Sequence, residues 1–480
     1  MNYSLISKII GIMLILFSLM LFIPASVSLL YNDGNVITFL YSFFIFLSFG
    51  LLLYLPNIRS KSDIKTKEGF LIVVLFWLVL SFFGSIPFML DKQLSLSFID
   101  AFFESISGWT TTGATVIKNI DILSPSLLIY RQELQWLGGM GIVILALAIL
   151  PMLGVGGMHL YKAESTGPIK DNKISPRIAE TAKSLWTIYL GLTVICAFAY
   201  YMAGMPLFDS IAHSFSTIAI GGFSTHNTSI GYFDSSSIEI ICIFFMILSS
   251  LNFILHFMAL KTKDIKTYFK DTEFKSYMLI ISFILILLIA YVTLTGNADL
   301  SARQILFQSV SFITTSGFTS TSYYTWPSFV ISILIAISFI GACAGSTGGG
   351  LKVMRVVLLF KLLKKELLKI LHPTAEIPIR INDSSINDNI SATLYNFFIF
   401  YILSYLGLSF LLLLSGLDMI TSFSAVASCI NNLGPALGDV SQNYASINIF
   451  SKYVLSFAMI LGRLEIFTLL IVLTPYFWKY

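Results

Sequence analysis

Four short segments of the chain carry the same chemistry at matched positions: Ser107–Thr115, Ser216–Ser224, Ser311–Thr319 and Ser428–Ala436. In each, a serine precedes a glycine by six residues, and the glycines Gly113, Gly222, Gly317 and Gly434 recur at comparable intervals. Around them stand threonine, serine, asparagine and further glycine, and none of the four segments holds Asp, Glu, Lys or Arg. Such segments offer backbone carbonyls, and a ring of carbonyl oxygens can replace the hydration shell of a bare cation. Glycine is needed because consecutive carbonyls can point one way only if one residue takes a conformation closed to side chains. The lack of charge points to a dehydrated monovalent ion, since a divalent cation or an anion calls for charged rings. Four matched segments in one chain predict a fourfold arrangement around one axis.

The elements that must position these loops are membrane spans. The chain is 56% hydrophobic and 11% charged, with mean hydropathy +0.85, whereas a soluble domain carries about 25% charged residues. Ten apolar runs reach the ~20 residues needed to cross a bilayer. They lie at 8–30, 36–56, 69–90, 127–150, 184–205, 236–259, 276–296, 327–360, 391–415 and 448–474. Four apolar stretches, 97–108, 208–218, 302–314 and 419–430, are too short to cross and fit re-entrant or buried helices. The first run has only Lys8 ahead of it and no clear small-residue cleavage site, so it reads as a retained helix.

The expected fold is an all-α integral membrane protein of four pseudo-symmetric repeats. Each is a span, a pore helix, a filter loop and a second span. The repeats cover 69–160, 161–260, 261–380 and 381–480, after a two-helix extension over 1–68. Irregular backbone at membrane depth is tolerated only where it is buried or lines a wet cavity. The short helices end just before the loops and aim their partly negative C-terminal ends at the axis.

Lysine and arginine set the orientation. The segments 57–69, 151–183, 261–275 and 352–380 hold 21 of the 29, and Lys8 and Lys479 stand near the ends. The positive-inside rule makes these segments and both termini cytoplasmic. The opposite side carries acids, among them Asp91, Asp100, Glu104, Asp121, Asp209, Asp234, Asp418 and Asp439. The net charge of +4 thus reflects topology, and basic residues spread over four short loops do not make a nucleic-acid surface. Cys196, Cys242, Cys343 and Cys429 all lie in apolar segments without metal-like spacing. His213 reads as a packing or hydrogen-bonding residue of the second short helix, with ordering of a filter loop as the alternative.

Two further features bear on control of a pathway. The run 327–360 is interrupted by Gly341 to Gly350, with five glycines in ten residues. At about 1 kcal/mol each relative to alanine, these cannot sustain a helix. The span should break into halves joined by a mobile loop, which could be a gate or a plain hinge. A phosphate-binding loop does not fit, because Lys352 does not follow a glycine and is not followed by Ser or Thr. Arg463 sits in an otherwise apolar run, and an ionisable residue inside a span is a functional candidate by default. Snorkelling to an interface is the plainer alternative. Glu465, two residues on, should point to another helix face.

These residues resemble the TrkH/KtrB superfamily of potassium uptake membrane subunits. Thr-Thr-Gly-Ala-Thr at 111–115 is similar to the family's first filter, and Asn-Asn-Leu-Gly-Pro-Ala at 431–436 to its fourth. Gln135–Gly141, and Tyr161–Glu164 through Pro176–Lys183, are more specific still. The two spans ahead of the first repeat suit the TrkH branch. The resemblance implies a potassium filter of Thr111, Thr112 and Gly113, then Ile220, Gly221 and Gly222, Thr315, Ser316 and Gly317, and Asn432, Leu433 and Gly434. One key glycine per loop implies selectivity that is real but not strict. It also implies an intramembrane gate built from Gly345, Ser346, Thr347, Gly348, Gly349, Gly350 and Lys352, with Arg463 facing the pore below the filter. Further implications are a homodimer and a cytosolic nucleotide-binding ring like TrkA, with 261–275 and 352–380 as contact segments. Anchoring on anionic lipid is the alternative role for those basic segments. The chain carries no dinucleotide fingerprint, so no organic cofactor is expected on it. A KtrB-like, sodium-linked transporter is the runner-up. An intramembrane hydrolase lacks a nucleophile–base pair, and the motifs at 135–141 and 161–183 speak against a pump subunit.

Overall fold

The computed structural model describes residues 1–60, 65–144, 174–296, 300–375, 377–382, 384–385 and 388–479. The loop motif Tyr161–Glu164 and the upper end of the run 127–150 lie outside them.

Among the described residues the fold is helical apart from a two-residue antiparallel pairing of Arg380–Ile381 with Ser384–Ser385. Six helices are long and apolar enough to cross a bilayer, or eight if two bent pairs each count as one span. Their outward faces are apolar and uncovered: on Thr272–Thr295, Leu279, Phe283, Ile286 and Leu294 are exposed. An uncovered apolar face of this size suits hydrocarbon rather than water.

The short helices occupy Phe98–Trp109, Leu207–Ala219, Ala302–Thr314 and Met419–Ile430. Three start on a side-chain cap: Ser97 accepts from the Asp100 amide, Ser301 from that of Gln304, and Asp418 from those of Ile420 and Thr421. All four sit inside one continuous apolar core.

Two runs expected to be single spans are sharply bent. Ser236–Ser250 and Phe253–Thr262 meet at 93°, and Ile449–Arg463 and Phe467–Leu473 meet at 117°. At the first bend Asn252 starts a new helix, its side chain accepting from the Ile254 amide. At the second, Glu465 and Ile466 both have positive φ, 52° and 57°. The run 327–360 divides as expected, into Ser328–Ile340 and Val353–Leu371 on either side of the glycine-rich loop.

In the N-terminal helices, Tyr3–Met20 crosses Val36–Tyr54 where Gly11 and Gly50 face each other. A Cβ on Gly11 would lie 2.7 Å from the Gly50 carbonyl oxygen, a small-residue crossing of the kind membranes favour.

Candidate functional site

Each short helix ends in the same way. The amide just before the key glycine donates to the carbonyl of the serine six residues ahead of that glycine. These bonds are Thr112 to Ser107 (2.9 Å), Gly221 to Ser216 (2.9 Å), Ser316 to Ser311 (2.8 Å) and Leu433 to Ser428 (2.8 Å). A second amide, one residue earlier, bonds three residues back, as in Thr111 to Gly108. This is the Schellman cap, which needs one left-handed residue. Thr111, Ile220, Thr315 and Asn432 supply it, at φ 51°, 54°, 62° and 53°. The shared serine therefore acts through its backbone. A left-handed Ile220 is costly for a β-branched residue, and such strain persists only where the surroundings enforce it.

The four loops close on one another. The glycines have φ of 79°, 78°, 80° and 94°. A Cβ on Gly113 would come closer than 3.0 Å to the Gly221 carbonyl oxygen. The same holds for Gly222 against Ser316, Gly317 against Leu433, and Gly434 against Thr112. Each glycine packs on the carbonyl just before the next loop's glycine, and the fourth returns to the first. Asn432 reinforces this return, donating to Thr112 Oγ1 (3.0 Å) and to the Met459 carbonyl (3.0 Å). All four glycines line one cavity of about 680 Å³ that continues over the residues following them, among them Thr115, Phe223, Thr319 and Tyr444.

Polar groups behind the loops hold them. Glu104 and Arg131 form a fully buried ion pair at 2.9 Å. Glu104 also accepts from Thr115 Oγ1 and the Val116 amide, both at 3.0 Å. Arg131 donates to the Ser224 carbonyl (3.1 Å) and lies 4.2 Å from the Phe223 ring centroid. The pair thus joins the first loop to the second, and Glu104, read from sequence as one of the outer-side acids, is a bracing residue. His213 does the equivalent for the second loop: Nε2 lies 2.9 Å from Ser224 Oγ and Nδ1 2.9 Å from the Asp209 carbonyl. On the cavity rim, His226 has a raised pKa. Burial works against its charge, and contacts with Asp209 and Asp121 outweigh that effect.

The ion pair makes a direct prediction. Glu104→Gln leaves the Arg131 charge buried without a counter-charge, and breaking such a pair typically costs about 3–5 kcal/mol. Thermal unfolding of the purified protein should shift clearly downward. The double variant Glu104→Gln/Arg131→Met should recover most of the loss, since no lone charge remains. A single variant as stable as the parent would show that the pair does not brace the loops.

The glycine-rich segment lies against the helix-end side of the ring. Thr347 Oγ1 donates to the Ile218 carbonyl (3.0 Å) and the Ser249 carbonyl (3.3 Å), and the Gly349 amide to Thr315 Oγ1 (2.6 Å). A Cβ on Gly348 would lie 2.7 Å from the Thr314 carbonyl oxygen, and one on Gly349 closer than 3.0 Å to that of Asn431. Ser346 Oγ donates to the Cys343 carbonyl (2.6 Å), Lys352 Nζ to the Gly348 carbonyl, and the Gly345 carbonyl accepts from the Phe253 amide (3.2 Å). Gly350 and Lys352 have φ of 74° and 77°. Arg463 is buried at the last turn of its helix, and its Nη1 donates to the Thr347 carbonyl at 3.0 Å. The structure thus joins the glycine cluster and Arg463, which are far apart in sequence. Glu465 pairs with Arg355.

Sequence reasoning gave no bracing role to Glu104, Arg131, Gln135 or Glu273. Glu273 accepts from the amides of Ala344 (2.8 Å) and Met354 (3.1 Å), holding both ends of the glycine loop. For Glu104, Arg131 and Glu273 the available signal was an ionisable side chain beside apolar runs, the same signal that singled out Arg463.

The family model TrkH, described as a cation transport protein, matches residues 36–480. The chain is 48% identical over 482 residues to the Trk system potassium uptake protein TrkH of Salmonella typhimurium, covering 100% of both. It is 38% identical to the Trk system potassium uptake protein TrkG of Escherichia coli, covering 98% of this chain and 97% of that one. The crystal structure of the potassium transporter TrkH from Vibrio parahaemolyticus superposes with a TM-score of 0.93 at 46% identity, covering 100% of each chain.

Proposed function

The chain belongs to the TrkH family of cation transport proteins, and from that premise we propose that it takes potassium up across the bacterial cytoplasmic membrane. The ion passes a fourfold filter of backbone carbonyls, and the protein is a transporter and not an enzyme. The observation that carries this reading is the closed ring of four glycines, each seated on the next loop's carbonyl. A ring of neutral carbonyls at the floor of an open cavity suits a monovalent cation that sheds its water. The filter residues are Thr111–Gly113, Ile220–Gly222, Thr315–Gly317 and Asn432–Gly434. The relatives named above are Trk-system potassium uptake proteins, which does not favour the KtrB-like alternative.

The glycine loop, Lys352 and Arg463 form the gate in this reading, because they close the ring on the side away from the cavity. Both termini are cytoplasmic. In support, Lys8 Nζ donates to the carbonyls of Ile58 and Ser60, both at 2.9 Å, and Lys67 Nζ to that of Phe477 at 3.4 Å. Both ends of the chain thus meet the basic loop 57–69. Opening is controlled by a cytosolic nucleotide-binding ring that contacts 261–275 and 352–380, and the protein works as a homodimer in lipid.

Flux into liposomes tests the reading. Potassium and rubidium should enter faster than sodium and lithium, with the difference kept when the cytosolic partner is added. Equal rates for all four ions would overturn it.

A further inference from the structure

Of the four carbonyls on which the ring glycines sit, the one at Gly221 is held differently. Gln135, fully buried on the helix Pro125–Ile144, donates from Nε2 to the Gly221 carbonyl. Its Oε1 accepts from the Phe223 amide at 3.1 Å. One side-chain amide thus spans Gly222 and fixes the backbone on both sides of it. Among the described residues, the equivalent carbonyls of Thr112, Ser316 and Leu433 accept no side-chain hydrogen bond.

Gly221 itself explains why. The other three loops carry a side chain at this position: Thr112, Ser316 and Leu433. Gly221 does not have the positive φ that glycine is usually needed for. What it lacks is space. A Cβ there would lie closer than 3.0 Å to Cδ, Oε1 and Nε2 of Gln135. The amide of Gln135 occupies the volume that the missing side chain would fill.

We infer that Gln135 is a specificity-determining positioning residue that completes the second filter loop from a neighbouring helix. This rests on the reading of the four loops as the filter. Without Gln135, Gly221 and Gly222 are two adjacent glycines in a loop of the ring, with nothing to hold the carbonyl that Gly113 packs on. A looser carbonyl adapts to the smaller sodium ion as well as to potassium, so discrimination falls while transport continues.

The test is the ratio of initial potassium to sodium flux in liposomes, at equal protein incorporation. Gln135→Ala should lower the ratio by about tenfold, equivalent to about 1.4 kcal/mol. Gln135→Met keeps most of the volume but has no group that can donate to the Gly221 carbonyl; it should also lose discrimination. Gly221→Ser alone should be impaired by collision with Gln135. The double variant Gln135→Ala/Gly221→Ser restores a side chain at the empty position and should regain more than half of the lost ratio. A general folding defect would not be rescued in this way. Unchanged discrimination in both Gln135 variants, or a double variant no better than the worse single one, would overturn the inference. Gly434→Ser, on the far side of the ring, separates the two levels. If it lowers the ratio and the Gln135 variants do not, only the positioning role fails. If it too leaves the ratio intact, the filter reading fails.

Discussion

Gly113→Ser and Gly434→Ser should each cut the preference for potassium over sodium by at least about tenfold in liposome flux. The magnitude follows from two independent costs. Both glycines are left-handed, at φ 79° and 94°, where a residue with a side chain loses about 1–3 kcal/mol. Each would also drive its Cβ into a neighbouring carbonyl, Gly113 into Gly221 and Gly434 into Thr112, which lies 2.6 Å from the Cβ position. Those neighbours are backbone atoms of the same ring, so relief cannot come from a side-chain rotation. The ring must open, and in the proposed reading its spacing is what separates two ions of like charge and different size. Gly407→Ser is the control, since that glycine has nothing within 4 Å of its Cβ position and should keep the parent's ratio. Unchanged discrimination in both ring variants would place the selective site elsewhere.

The ring was legible in the sequence because its parts are local. The serine, the left-handed residue and the glycine of each loop lie within seven consecutive positions, and each short helix starts at a recognisable cap or proline. Their observed ranges lie within one residue of those read from the apolar pattern. The bends at Leu251–Asn252 and Leu464–Ile466 were not legible. Longer apolar runs surround both, so average hydropathy carries across Ser250–Asn252 and Arg463–Glu465, and no proline marks either break. The Glu104–Arg131 pair was hidden for another reason. Its partners stand on different helices, and nothing in the spacing says that a short helix will lay its one glutamate against the next span. Gln135 stood in a conspicuous motif, yet its role depends on a vacancy at Gly221, which only the packing reveals.

Arg463→Ala should conduct faster than the parent, with or without a cytosolic partner. Arg463 is buried at the end of its helix, where the partly negative C-terminal end favours a cation. It spends one donor, Nη1, on the Thr347 carbonyl, while Nε and Nη2 find no hydrogen-bond partner among the described residues. Its guanidinium lies 5.7 Å from the Trp77 ring centroid. A positive charge compensated this sparsely raises the barrier for another cation, the more so in surroundings of low dielectric. The same bond ties the glycine loop to the helix Ile449–Arg463, while the Thr347 hydroxyl fixes that loop on the Ile218 and Ser249 carbonyls, so in the proposed reading Arg463 helps to latch the loop closed. A hydrogen bond to a charged group is worth roughly 1.5–3 kcal/mol. Its loss should shift the loop toward the open state by about ten- to a hundredfold. Removing the charge and removing the latch act in the same direction. Arg463→Lys keeps the charge but not the planar fork, so it restores the barrier and only part of the latch. Flux should therefore rank Ala above Lys above Arg. If Ala conducts less than Arg at equal incorporation, the residue supports the bent helix and does not restrain the pathway.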